Sequence, residues 1–323
     1  MRMAALGYDR GYRSPRIGSG ARHRAVRDPC HAAPNSCPSS VSRSVHVGEP
    51  TITASDHWIA TDSGTLFARA WVPSAPRGDA DATILLLHDS LGCVELWRDF
   101  PEQLAVATRR AVVAYDRLGF GRSDAHPGPL AASFIHDEAV MVLPRLREAL
   151  RAEIGVDAMI PFGHSVGGGM AVAMAARFPD ACTALVTESA QSFVEDRTLA
   201  GIRAARATFQ QPGQVERLER YHGTKARWVL DAWIETWLDP AFAAWCLDDD
   251  LRGVRCATLA LHGDRDEFGS PEHPARIARL VRGPSRVVIL DGCGHVPHRE
   301  QPTRVLGEVT RFLGAMVSSR RSE

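Results

Sequence analysis

Short apolar runs alternate with longer segments of mixed polarity along most of the chain, and the runs have the length of β-strands. Two of them, 58–61 and 66–71, flank the turn-forming sequence Asp62-Ser63-Gly64 and predict a β-hairpin. Further strands are predicted at 83–87, 111–115, 159–162, 183–188, 257–261 and 286–290. Helices are predicted at 97–108, at 133–151 with a kink at Pro144, and after residue 165. This alternation predicts the α/β class, with a mostly parallel central sheet and helices on both faces.

The alternation stops between Ser189 and Asp250, where the composition is helical and no further strand is predicted. Helices are expected there at 200–209, 215–222, 225–238 and 241–247. The same stretch holds four of the seven tryptophans, most of which we expect to pack this segment onto the core. We therefore predict a core at 49–189 and 250–323, interrupted by a helical lid at 190–249 that excludes water and shapes an apolar pocket.

The charge is balanced overall but unevenly placed, which bears on the first residues. Residues 1–45 hold eight Arg and two Asp, a net charge of +6, so the remainder carries −6. We interpret 1–48 as a disordered basic extension; a nucleic-acid-binding arm is the alternative. This stretch lacks the apolar core of a secretory signal, and no apolar run reaches the ~20 residues of a membrane helix. We expect a cytoplasmic protein with a small-molecule substrate, no nucleic-acid or membrane partner, and an oligomeric state left open.

Seven cysteines are scattered along the chain without a C-x-x-C pair. Neither a zinc site nor a disulfide framework is indicated by this spacing. We therefore expect no metal and no cofactor.

The most informative motif is the pentapeptide Gly163-His164-Ser165-Val166-Gly167, which lies between a predicted strand and a predicted helix. Strand, sharp turn and helix in this order predict a nucleophile elbow that exposes the Ser165 hydroxyl. The N–H of Val166, at the start of the helix, is then placed to meet an oxyanion. A turn of small residues where a helix packs on a strand is the structural alternative, so partners for Ser165 decide the interpretation.

Candidate partners follow in the order that a Ser–His–acid triad requires. Asp266 follows the strand predicted at 257–261, and His295 lies in a glycine-rich loop after the last strand. A serine hydroxyl needs an imidazole to remove its proton, and the imidazole needs a carboxylate to fix its tautomer. Ser165, His295 and Asp266 are thus predicted as nucleophile, base and orienting acid. Asp264, and above all Glu188 at the end of the sixth strand, remain rival acids.

Further motifs carry a family resemblance. Residues 115–124 read Y-D-R-L-G-F-G-R-S-D, residues 262–266 read H-G-D-R-D, and residues 294–302 read G-H-V-P-H-R-E-Q-P. With the elbow, residues 55–317 resemble a lid-bearing, esterase-like serine hydrolase of the α/β-hydrolase superfamily. The resemblance implies that the N–H of Ser90 is the second oxyanion donor. Asp89 departs from the family pattern, which usually has glycine here, so the orientation of Ser90 depends on how this aspartate is held.

The expected function is hydrolysis of a carboxylic ester or lactone of a small, mainly apolar compound through an acyl-enzyme. A serine at the elbow argues against the dehalogenases and epoxide hydrolases of this superfamily, which use aspartate there. Three alternatives stay open: cleavage of carbon–carbon bonds in ring-fission products, cofactor-free haloperoxidase-like peracid formation, and a ligand-binding protein without turnover.

Overall fold

The computed structural model describes residues 50–74, 82–155 and 158–320. The extension predicted at 1–48 lies outside these residues and stays a prediction. Among the helices of the described part, none is both long and apolar enough to cross a membrane.

The centre of the fold is one eight-stranded sheet with the strand order β1-β2-β4-β3-β5-β6-β7-β8. The first two strands form the predicted hairpin, and β2 pairs antiparallel with β4. All later pairings are parallel. The strands are β1 (Ile52–Thr61), β2 (Gly64–Pro73), β3 (Thr83–Leu87), β4 (Val112–Tyr115), β5 (Met159–His164), β6 (Ala184–Glu188), β7 (Ala257–Gly263) and β8 (Ser285–Leu290). Because β3 to β6 are buried along their whole length, they read as continuous apolar runs, and the predicted α/β class is confirmed.

Helices connect the strands and, between β6 and β7, form the inserted segment. The helices are α1 (Phe100–Thr108), α2 (Phe134–Asp137), α3 (Leu143–Ile154), α4 (Val166–Arg177), α5 (Asp196–Phe209), α6 (Gln214–His222), α7 (Ala226–Leu238), α8 (Asp248–Gly253), α9 (Glu272–Leu280), α10 (Pro297–Glu300) and α11 (Pro302–Arg320). Single 3₁₀ turns lie at Val94–Trp97, Gly223–Lys225 and Pro240–Phe242.

The helix expected at 133–151 contains a π-helical turn at Glu138–Val142, which runs directly into α3, and Pro144 lies in the first turn of α3. A proline in a continuing helix has no N–H to donate, and its ring crowds the carbonyl four residues earlier, here that of Val140 in the π-helical turn. The interruption therefore lies where the predicted kink at Pro144 places it.

The helix expected at 241–247 was wrong. Pro240 begins only a 3₁₀ turn, which the Asp239 side chain caps by accepting from the N–H of Ala241. The chain then becomes extended, and Cys246 forms an antiparallel bridge with Phe193 before α8 starts at Asp248. Of the apolar residues in this stretch only Phe242 and Leu247 are buried, so the stretch does not present the apolar face of a helix.

The aromatic residues of the inserted segment pack as expected. Trp237 and Trp245 meet Phe242, and the rings of Phe242 and Trp245 are stacked at 5.4 Å. Trp233 contacts Phe268, beyond β7, with ring centroids 5.9 Å apart. The contact with Phe268 holds the segment on the core, and the contacts of Phe242 pack the segment internally. Its action as a lid stays a prediction.

The sharp turn between β5 and α4 leaves no room for side chains on its glycines. A Cβ at Gly163 would lie 2.0 Å from the carbonyl oxygen of Gly167, and one at Gly167 would lie 2.2 Å from that of Leu87. Both obstacles are backbone atoms, so a side chain would have to displace a strand or a helix.

Gly163→Ala is therefore expected to lower the free energy of unfolding by about 3 kcal/mol or to prevent folding. Gly307→Ala is the matched control, because Gly307 is in α11 with no atom within 4 Å of its added Cβ. That change should raise stability by about 0.5–1 kcal/mol through helix propensity. Urea unfolding of both variants checks the pair, and equal stabilities would contradict the crowding argument.

Candidate active site

Ser165 occupies the turn between β5 and α4 in a backbone conformation that side-chain-bearing residues rarely adopt. Its φ is 55° and its ψ is −124°. Strain of this kind persists where the surrounding structure enforces it, and here Ser165 N–H donates to the carbonyl of Glu188 at 2.9 Å. The result is a hydroxyl that stands at the carboxyl end of the sheet, with α4 starting at the next residue, Val166.

The two predicted partners lie within hydrogen-bond distance of one another and of the serine. His295 Nε2 is 3.0 Å from Ser165 Oγ. His295 Nδ1 is 2.8 Å and 2.9 Å from the two carboxylate oxygens of Asp266. The carboxylate is itself fixed, because its Oδ1 accepts from the N–H groups of Phe268 and Gly269 at 2.8 and 3.1 Å. All three side chains are buried. This is the chain of contacts in which an imidazole can take a proton from a hydroxyl.

The electrostatics of the pair favour an imidazolium next to a carboxylate. Burial opposes charge on His295, but the carboxylate of Asp266 outweighs it and raises the pKa of His295 to about 9. Burial likewise works against the Asp266 charge, and His295 outweighs it and lowers the pKa of Asp266 to about 2. The carboxylate thus stays ionised and stabilises the charge that His295 gains when it accepts a proton.

The two rival acids make other contacts. Asp264 accepts from the N–H of Cys293 at 3.1 Å and is exposed. Glu188 is fully buried at the end of β6 and lies 2.6 Å from His298 Nδ1, not beside His295. Among the three candidate acids, Asp266 is the one that the structure places on His295.

The loop after β3, residues His88 to Gly92, holds the predicted second oxyanion donor; we call it the oxyanion loop. The main-chain carbonyl of Asp89 accepts from His88 Nδ1 and from Arg117 Nη2, both at 2.8 Å, and from Gly92 N–H at 3.3 Å. The Asp89 carboxylate turns instead toward His164, with Oδ2 3.8 Å from Nδ1. The main-chain carbonyl and the carboxylate of Asp89 thus have separate partners.

The comparisons with known proteins agree with this fold. The sequence model of the family described as alpha/beta hydrolase fold matches residues 82–225. A solved structure described as a membrane phospholipase A and bacterial virulence factor superposes with a TM-score of 0.65, at 23% identity over 81% of this chain and 86% of that one. The chain has the α/β-hydrolase fold, and residues 82–225 match the family of that name.

Two further relatives bear on what this α/β-hydrolase does. A 2-hydroxy-6-oxo-2,4-heptadienoate hydrolase of Pseudomonas putida is 26% identical over 265 residues, which is 72% of this chain and 89% of the relative. A thermophilic esterase of Thermogutta terrifontis superposes with a TM-score of 0.59, at 21% identity over 81% of this chain and 99% of that one. At such identities the solved structures show the fold, and the relationship as a whole identifies an enzyme of the hydrolase class.

Beneath the elbow of this α/β-hydrolase is a buried polar cluster of His164, Glu188 and His298, which was not foreseen as a unit. It offers three ligand atoms within 4.8 Å of one another, as a metal site would. Glu188 and His298 are, however, already joined by their 2.6 Å hydrogen bond, and His164 Nε2 lies 2.7 Å from the carbonyl of His295. Burial raises the pKa of Glu188 to about 7 and lowers that of His164 to about 4. The contacts fit an internal hydrogen-bond network that supports the His295 loop.

One residue next to Ser165 was not identified from the sequence. Gln191 is buried, and its Oε1 lies 3.3 Å from Ser165 Oγ. It follows the end of β6 by three residues, beyond Ser189, whose φ is 48°. No sequence motif marks Gln191. Phe268 also borders the site, with its ring 4.8 Å from that of His295.

Proposed function

We propose that this α/β-hydrolase is a serine hydrolase that cleaves a carboxylic ester or lactone of a small, mainly apolar compound. The observation that carries the proposal is the unbroken series of contacts from Ser165 Oγ through His295 to Asp266. It supplies a nucleophile, a base and an orienting acid in one buried site.

The mechanism follows from these positions. Ser165 Oγ attacks the acyl carbon while its proton passes to His295 Nε2, and Asp266 stabilises the imidazolium. The carbonyl oxygen becomes an oxyanion, which we assign to the N–H groups of Val166 and Ser90, each worth about 3 kcal/mol when well aimed. His295 then gives its proton to the leaving alcohol. In the second half-reaction His295 takes a proton from water as the water oxygen attacks the acyl carbon. When the resulting intermediate collapses, the bond from the acyl carbon to Ser165 Oγ breaks, His295 returns the proton to Oγ, and the acid leaves.

The inserted segment supports a covered site because it is hydrogen-bonded to loops on both sides of the triad. From α5, Arg197 Nη1 donates to the carbonyl of Asp266 at 3.2 Å, and Thr198 Oγ1 donates to that of Phe268 at 2.6 Å. From α6, His222 Nε2 lies 3.0 Å from the carbonyl of Leu91 in the oxyanion loop. We infer that residues 190–249, which include these helices, form the predicted lid over the site.

A second candidate is hydrolysis of a carbon–carbon bond in a ring-fission product. It is favoured by the relative named 2-hydroxy-6-oxo-2,4-heptadienoate hydrolase, most of whose length this chain matches. The same triad would serve, because both reactions generate an acyl group and an oxyanion.

The test compares turnover of p-nitrophenyl acetate and butyrate with turnover of a 2-hydroxy-6-oxo-dienoate, and adds a fluorophosphonate label. A higher kcat/KM for the esters than for the dienoate, with the label on the Ser165 peptide, would support the esterase. The reverse ratio with the same label would favour carbon–carbon cleavage. Absence of both turnover and label would overturn the serine-hydrolase proposal and favour a ligand-binding protein.

The pH dependence of the reaction follows from the pKa of His295. The base must be neutral to accept a proton, and its pKa is raised to about 9 in the free protein. We therefore expect kcat/KM to rise about tenfold per pH unit up to about pH 9 and then to level. Rates with p-nitrophenyl acetate from pH 6 to 10, corrected for spontaneous hydrolysis, check this.

Glu267→Gln is the control for that profile, because the Glu267 charge also raises the pKa of His295, after the larger effect of Asp266. Its removal should move the rise to lower pH without touching the triad. A wild-type profile that levels near pH 6.5, or one that Glu267→Gln leaves in place, would contradict the electrostatic account.

A further inference from the structure

We propose that Arg117 is a positioning residue that orients and polarises the Asp89–Ser90 peptide, so that the Ser90 N–H faces the oxyanion. This inference rests on the proposed serine-hydrolase function and concerns how its second oxyanion donor is held. It also gives a physical reason why an aspartate at position 89 is tolerated.

The orientation follows from peptide geometry and sheet order. A trans peptide points its carbonyl oxygen and its N–H in opposite directions. The Asp89 carbonyl accepts from the Arg117 guanidinium at 2.8 Å, so the Ser90 N–H points away from Arg117. Arg117 follows β4 and Ser165 follows β5, and β3, which leads into the oxyanion loop, lies between those two strands. The side of the loop opposite Arg117 is therefore the side of the nucleophile.

His88 acts with Arg117 at the same carbonyl. The main-chain N–H of Arg117 donates to His88 Nε2 at 3.2 Å, which leaves the proton of the neutral ring on Nδ1. Nδ1–H then donates to the Asp89 carbonyl at 2.8 Å. Burial, together with the nearby Arg117 charge, holds the pKa of His88 well below its usual range, so the ring stays neutral and keeps this tautomer.

The guanidinium is buried between an aromatic ring and a carboxylate. Arg117 is 3% exposed, and its guanidinium carbon lies 4.1 Å from the centre of the Phe120 ring. The carboxylate of Glu138, in the π-helical turn, is its main electrostatic partner, and Tyr115 Oη donates to that carboxylate at 2.6 Å. A cation bonded to a carbonyl polarises the whole peptide and strengthens its N–H as a donor. By polarising this peptide, Arg117 makes the Ser90 N–H a stronger donor to the developing oxyanion.

The test uses Arg117→Met, which removes the donors, and Arg117→Lys, which keeps the charge but not the planar fork. We expect kcat to fall by up to about 100-fold in the Met variant and less in the Lys variant, with KM changed little. The inhibition constant of a trifluoromethyl ketone, which forms an oxyanion on the serine, should rise by the same factor as kcat/KM falls. The final fraction labelled by fluorophosphonate counts folded sites, so rates are expressed per labelled site.

Arg122→Gln is the matched control. Arg122 lies in the same turn, but its guanidinium covers the Phe67 ring and pairs with Asp56 at the surface. It should leave kcat and the trifluoromethyl ketone affinity unchanged. If Arg117→Met kept the wild-type kcat per labelled site, this inference would be overturned and the proposed function would stand. The same holds if kcat fell without a loss of affinity for the trifluoromethyl ketone. A wild type that neither turns over esters nor labels would overturn the proposed function and this inference with it.

Discussion

Ser165→Ala is expected to lower kcat for ester hydrolysis by about 10⁶-fold, to the residual rate that binding and the oxyanion donors provide. The change removes one oxygen, the atom 3.0 Å from His295 Nε2, and alanine tolerates the same positive φ no worse than serine. The fold should therefore survive, and the fluorophosphonate label should disappear. Burst and steady-state kinetics with p-nitrophenyl butyrate, beside thermal unfolding, measure both consequences.

Ser189→Ala is the control that this position needs. Ser189 is also a buried serine with positive φ, and its hydroxyl has no hydrogen-bond partner in the part of the chain that the structure describes. Its substitution should leave kcat and labelling unchanged. If Ser165→Ala kept more than about a thousandth of the wild-type kcat, Ser165 would not be the nucleophile.

Much of the fold could be predicted because the relevant signals are local. The buried strands of the parallel sheet are continuous apolar runs, and each run predicted from 83 to 290 has a strand in the structure. The turn at Ser165 could be predicted because only glycine fits at Gly163 and Gly167. Local sequence did not distinguish a helix from a 3₁₀ turn followed by an extended segment, so the stretch 241–247 was assigned wrongly.

The supporting residues of the site could not be predicted in the same way. Gln191 reaches Ser165 from 26 residues away, and Arg117 reaches the Asp89 carbonyl from 28 residues away. These contacts depend on which strands are neighbours and on which direction a loop turns. A local motif specifies neither the strand order nor the direction of a loop, although Arg117 itself lies within the recognised motif at 115–124.

The choice of the acid shows the same limit and leads to the second large effect. Glu188 ends β6 and Asp266 follows β7, the next strand in the sheet, so both approach the same edge. Residue type and chain order therefore leave both open. The structure separates them through the histidines, because Asp266 lies on His295 and Glu188 lies on His298.

Asp266→Asn is accordingly expected to lower kcat by about 10⁴-fold with the fold retained. An amide in this place can donate to His295 Nδ1, which would leave the proton on Nε2 and prevent that nitrogen from accepting the Ser165 proton. Loss of the carboxylate also removes the main charge that raises the pKa of His295, so the remaining activity should rise at lower pH than in the wild type. Rates per labelled site across pH 6 to 10 measure both effects.

Glu188→Gln is the decisive comparison, since it changes a carboxylate of equal burial to its isosteric amide one strand away. The His298 bond can be kept by the amide oxygen, so kcat should change by less than about tenfold and the pH profile should keep its shape, because His295 and Asp266 are untouched. If instead Glu188→Gln were inactive and Asp266→Asn active, Glu188 at the end of β6 would be the orienting acid. The His295 loop would then have to rearrange. The 2.8 Å and 2.9 Å contacts of His295 Nδ1 with both Asp266 oxygens are the reason to expect the first outcome.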